Sequence, residues 1–143
     1  MKKGDIAFKV VEKRTRLCTN LLIYRKYVRN REILELTKQY SQLFPRYRKG
    51  KVLKADERTE GFFVFEDKFY AEDFICYEHL PDCKLKILRV KLLDTPKRPK
   101  RVLNGCGAYP KRILTIFKSR IPQADLSPAY AGCWVCHEIE VLD

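Results

Sequence analysis

KLKILRVKLL, residues 84–93, alternates apolar and charged side chains with a period of two. Leu88, Val90 and Leu92 fall on one side of an extended chain, and Arg89 and Lys91 fall on the other. Such a stretch reads as a strand with one buried face and one wet face. That is the habit of antiparallel sheets rather than of parallel sheets covered on both sides. Neighbouring segments carry the same signature. Ile6 to Val11 alternates, Leu21-Leu22-Ile23-Tyr24 followed by Tyr27-Val28 is a second strand candidate, and Lys51 to Ala55 reads as a short strand. Phe62-Phe63-Val64-Phe65 is too apolar for an exposed edge, which predicts a central strand.

Helical spacing appears three times. Asn30 is a fitting N-cap for a helix over about 31–43, where Ile33, Leu36, Tyr40 and Leu43 form one stripe before Pro45. Asp67 is placed to cap a second helix over about 68–79, with Tyr70, Ala71, Phe74 and Ile75 inward and Pro81 beyond. Ile113, Ile116 and Phe117 predict a short helix over about 110–119. Residues 94–112, rich in Pro, Gly and base, read as loop, and 121–132 as irregular. The expected fold is α+β over residues 1–143 as a single domain, a mainly antiparallel sheet with two main helices and one short helix.

The segment from Lys51 to Leu93 places a K-V-x-x-A-x-E-x-T strand and turn before G-x-x-V-F, a helix with Ala71-Glu72 near its centre, and an I-x-R-V-K strand. In this it resembles small proteins of phages and prokaryotes, over about residues 50–93 and the terminal E-V-L-D. The resemblance implies a shared scaffold and carries no assigned activity.

The chain has 143 residues, 45% hydrophobic and 34% charged, enough apolar material for a core and too little Gly and Pro for disorder. No run approaches the roughly 18 apolar residues of a membrane span. Asp5, Lys9, Glu12 and Lys13 interrupt any apolar core near the N-terminus, so no secretory leader is expected and a reducing cytosol is. There the six cysteines are expected as thiols rather than disulfides.

Net charge is +12, unevenly spread. Residues 1–54 hold 16 basic and 4 acidic side chains, and residues 84–120 hold 12 and 1. Between them, residues 55–83 hold 2 basic and 9 acidic side chains. Two basic blocks around an acidic one point to a phosphate-bearing partner, against the plainer reading of a self-neutralising solvated surface. Arg25, Lys26, Tyr27, Arg29 and Arg31, and then Arg46, Tyr47, Arg48 and Lys49, interleave arginine forks for phosphate with rings for unpaired bases. Lys97, Arg98, Lys100 and Arg101 stand in a stiff Pro-flanked loop suited to tracking a phosphate backbone. That loop is also similar to short nuclear-import signals, which would make the compartment nuclear in a eukaryotic host. The expected function is non-catalytic nucleic-acid binding. The competing class is an accessory or anti-defence protein of phage type, docking the same basic surface on an acidic protein partner.

Three further motifs bear on chemistry. Cys133-Trp134-Val135-Cys136-His137 spells C-x-x-C-H, the haem-attachment pattern, whose first half is also a common zinc half-site. Its spacers are strand formers, and Val135, Ile139 and Val141 continue the period of two. The expectation is therefore a strand over about 133–142, with Cys133 and His137 on one face and Cys136, Glu138 and Glu140 on the other. Cys76, His79, Cys83 and Cys106 have the donor chemistry of a structural zinc site, but not the spacing of a zinc finger, and no cofactor is expected. Glu138 and Glu140 are similar to the E-x-E pair of arginine-directed ADP-ribosyltransferases. The S-T-S strand and early Arg or His of those enzymes are missing, so an exposed polar strand face is the plainer reading.

Overall fold

The computed structural model describes residues 1–16, 45–57, 61–78, 84–99, 101–103 and 126–143. Its elements run β1 (Ile6–Glu12), β2 (Val52–Lys54), β3 (Phe62–Phe65), α1 (Lys68–Glu78), β4 (Leu85–Leu92), β5 (Arg101–Leu103), β6 (Leu126–Pro128), β7 (Cys133–Cys136) and β8 (Glu138–Val141). Six strands form one antiparallel sheet in the order β2-β8-β4-β1-β3-β7. β5 and β6 form a separate two-stranded ladder.

The expectation of two main helices and a short one is corrected, among the described residues, to a mostly antiparallel sheet with one helix of that length, α1. The expected helices over 31–43 and 110–119 and the strand at 21–28 lie outside the described residues. The β5–β6 ladder falls where loop and irregular chain are expected. It joins residues more than twenty positions apart, and pairing of that kind leaves no local periodicity to read.

Only His137 separates β7 from β8, yet these strands sit far apart in the sheet order. A flat sheet cannot satisfy both facts, so the sheet curls until its two sides meet along one bent strand. β4 follows that strand through Val90↔Val141 and Leu92↔Ile139, and Lys97 then bridges Val135. On the other edge, β3 pairs with β7 and β2 with β8.

The curl divides the apolar residues into two cores. Ala7, Val11, Phe62, Val64, Leu88, Val90, Leu92, Cys136, Ile139 and Val141 pack inside the curved sheet. Val10, Phe65 and Cys133 pack outside it, against Ala71 and Phe74 of α1. Asp67 caps α1, accepting the Phe69 N–H at 2.7 Å.

The bend also flips the phase of the closing strand. Before it, Cys136 joins the inner core with Trp134 packed alongside; after it, Ile139 and Val141 do so. Cys136 therefore does not share a face with Glu138 and Glu140, as unbroken alternation predicts. One residue inserted at a bend exchanges the two faces of everything beyond it. Asp94 holds the bend. Its carboxylate oxygens each accept the His137 N–H at 3.2 Å, and the Cys136 thiol donates to one of them. Gly61 lies against the same corner at φ +112°, where a Cβ would stand 2.9 Å from the Cys136 carbonyl oxygen.

Asp94→Ala strips the bend of its acceptor and is expected to cost about 1–3 kcal/mol of stability, with a smaller loss for Asp94→Asn, which keeps an oxygen. Urea unfolding of the two variants checks the difference.

Candidate nucleic-acid interface

The antiparallel register brings the finish of β1, the start of β4, the finish of β8 and the start of β2 toward one end of the barrel. Glu12 pairs with Leu85, and the Lys13 N–H donates to the Lys84 carbonyl at 2.8 Å. The Gly50 N–H donates to the Val141 carbonyl at 2.7 Å, and the Tyr47 N–H donates to the Arg16 carbonyl at 2.9 Å. Arg16 stitches this end together, its guanidinium donating to the carbonyls of Tyr47 and Asp143.

Exposed cations crowd here. Lys13 and Arg14 follow β1, Arg46, Arg48, Lys49 and Lys51 lead into β2, and Lys84 precedes β4. Among the described residues none of these seven takes part in an ion pair. The described carboxylates nearby, Glu12 and Asp143, are engaged elsewhere. Glu12 is buried and accepts the Thr15 N–H and hydroxyl, each at 2.5 Å. Asp143 takes the Arg89 guanidinium at 2.8 Å and the Arg89 N–H at 2.8 Å. Those hydrogen bonds, with the charges of Arg89 and Lys86, hold its carboxyl down at about 2. Both residues that flank the segment 17–44, Arg16 and Pro45, lie at this end. The segment itself, with Arg25, Lys26, Tyr27, Arg29 and Arg31, is outside the described residues.

Tyr47 is corrected. It is 2% exposed, its ring meets Phe62 edge-on at 5.9 Å, and the ammonium of buried Lys9 lies 5.3 Å from its centroid. The ring plugs the inner core and is not available to stack on a base. Its neighbours Arg46 and Arg48 remain exposed, because an extended chain at the barrel's rim turns one residue in and its neighbours out, and Lys49 is exposed in the turn that follows.

The second basic segment lies elsewhere. Lys97 and Arg98 follow the far end of β4 and run beside β7. Lys100 and the Arg101 side chain are outside the described residues. Arg98 pairs with Glu66 at 2.8 Å and lies 4.3 Å from the ring centroid of Trp134, whose Nε1–H donates to the same Glu66 oxygen at 2.8 Å. Nothing in the sequence spacing joins Glu66, Arg98 and Trp134, and this cluster is legible only in the fold.

The remaining candidates separate. Glu138 and Glu140 lie on the outer sheet face, Glu138 paired across to Lys54 at 3.8 Å and Glu140 opposite Val52 and Lys91. Lys9 of the early strand points to the inner face and donates to the Phe63 carbonyl at 2.8 Å, so it does not meet the two glutamates. A cross-strand charge ladder accounts for the pair. Cys133 and Cys136 lie in different cores, and burial pushes each thiol up to about 11. Cys76 is exposed on α1, while His79, Cys83 and Cys106 lie outside the described residues. Among the described residues no group of three or more His, Cys, Asp or Glu side chains is arranged to hold a metal. No helix among them is long and apolar enough to cross a membrane.

The depressed Asp143 value has a sign. Its ion pair contributes above the ordinary carboxyl range near 4 and is lost as pH falls through about 2. Carboxyl NMR is expected to follow the Asp143 side chain titrating near about 2, and to find it higher in Arg89→Ala.

No family model, no curated protein and no solved structure matches this chain.

Proposed function

We propose that the protein is a non-catalytic nucleic-acid-binding barrel whose basic end engages the phosphate backbone. The observation that carries the reading is the gathering of exposed Lys13, Arg14, Arg46, Arg48, Lys49, Lys51 and Lys84 at one end with no ion pair among the described residues. On the outer sheet face, by comparison, Lys54 and Arg89 each meet a carboxylate and Lys91 stands opposite Glu140. Cations left without carboxylates repel one another, and a bound polyanion relieves that repulsion while releasing its own counterions. Arginine forks at Arg46 and Arg48 suit phosphate oxygens bidentately, and Lys49 and Lys51 add point charges.

Backbone contact of this kind is insensitive to sequence and steeply sensitive to salt. The wild-type chain is expected to retard single- or double-stranded DNA or RNA at about 50 mM salt and to release it as salt rises. Replacing Arg46, Arg48 and Lys49 together with Glu should weaken binding by at least about tenfold and flatten the slope of log affinity against log salt by about 2–3. Clean protein that retards none of these nucleic acids overturns the reading. The basic end then falls to an acidic protein partner.

A further inference from the structure

The Glu66 cluster has features that a simple surface ion pair does not need. Arg98 Nη2 and the Trp134 indole N–H both donate to one oxygen of Glu66 at 2.8 Å. The hydrogen bond from Trp134 is the main cause holding the Glu66 carboxyl below its ordinary range, so the acceptor stays charged. The guanidinium is therefore fixed at two points, by the carboxylate and by the ring 4.3 Å beneath it. Among the described residues its Nε and Nη1 donate no hydrogen bond, and the side chain is 53% exposed. The result is a flat, charged surface with unused N–H donors, held in place before any ligand arrives.

An exposed ring, Phe69, follows Glu66 by three residues in the chain. The Glu66 N–H donates to the Gly132 carbonyl at 2.9 Å, and the Tyr70 ring fills the space where a Gly132 side chain would stand. Tyr70 meets Phe69 edge-on at 5.7 Å, and Phe69 is 66% exposed at the start of α1. Its open face leaves an aromatic surface available beside the fixed guanidinium's end of the sheet. Lys97 adds an exposed cation beside the stack, on backbone anchored by two hydrogen bonds of 2.9 Å to Val135.

We propose that the Arg98–Trp134 stack, together with Phe69, is a stacking site for unpaired bases of a single-stranded nucleic acid. The inference rests on the nucleic-acid reading above and adds the class of strand. Bases splayed from a single strand stack on guanidinium planes and aromatic rings, whereas the bases of a duplex are already stacked on one another. The cation-rich end supplies affinity for any strand, and this cluster supplies the preference for an unpaired one.

Trp134 is the only tryptophan of the chain, so its emission reports on this site alone. A single strand of about twelve thymidines is expected to quench that emission saturably, while a duplex of equal length leaves it nearly unchanged. Arg98→Lys keeps the charge and loses the plane, and Phe69→Ala removes a largely exposed ring without opening a core. Each should weaken single-strand binding by about tenfold, within the range of one base–aromatic stack, and alter duplex binding by less than about twofold. If the single strand binds with unchanged emission and both variants bind as wild type does, the stacking site is overturned and the backbone reading stands. If wild type binds neither strand, both are overturned.

Discussion

His137 is the only residue between two strands that belong to different parts of the same sheet. That covalent constraint forces the sheet to curl, and the curl creates an inside for Val64, Leu88, Val90, Ile139 and Val141. The corner is polar where it must be. Asp94 accepts the His137 N–H and the Cys136 thiol, while the His137 carbonyl accepts the Ala55 N–H at 2.8 Å. Backbone groups at a strand break would otherwise be buried without partners, which folded chains rarely tolerate.

The distribution of charge follows from that closure. Cations and carboxylates alternate across strands on the outer face, where Lys54 meets Glu138 and Arg89 meets Asp143. At the end where β1 finishes and β2 begins, the described carboxylates Glu12 and Asp143 turn inward or toward Arg89, and the described cations stay outside. The same fold separates Arg46–Lys49 from Lys97–Arg98, which lie past opposite ends of β4. The described basic surface thus divides into two patches of different character, one of exposed cations outside any ion pair among the described residues and one of a guanidinium fixed on a ring.

Much of the fold was legible residue by residue. KLKILRVKLL became β4 with Leu88, Val90 and Leu92 buried and Arg89 and Lys91 exposed, as its alternation requires. Phe62–Phe65 became β3, flanked by strands on both sides, and Asp67 caps the helix that its position announces. The terminal segment was legible as strand, because Trp and Val between its cysteines favour extension. Tyr47 was misread because a ring among arginines has the same local pattern whether it faces water or plugs a barrel. Its 2% exposure depends on Phe62 and Lys9, which are distant in sequence.

Local alternation, capping residues and charge counts act over a few residues, so the sequence by itself determined β1 to β4, the strand character of the terminal segment, the boundaries of α1 and the presence of basic blocks. Closure of the sheet, the phase flip at His137, the β5–β6 ladder and the meeting of Glu66, Arg98 and Trp134 were decided only by tertiary structure. Each depends on which distant segments share hydrogen bonds or a core, and chain-entropy costs and packing settle that for the whole chain at once. Cys133 and Cys136 put both halves in one motif. Their strand character was written in their neighbours, and the two cores that receive them were not.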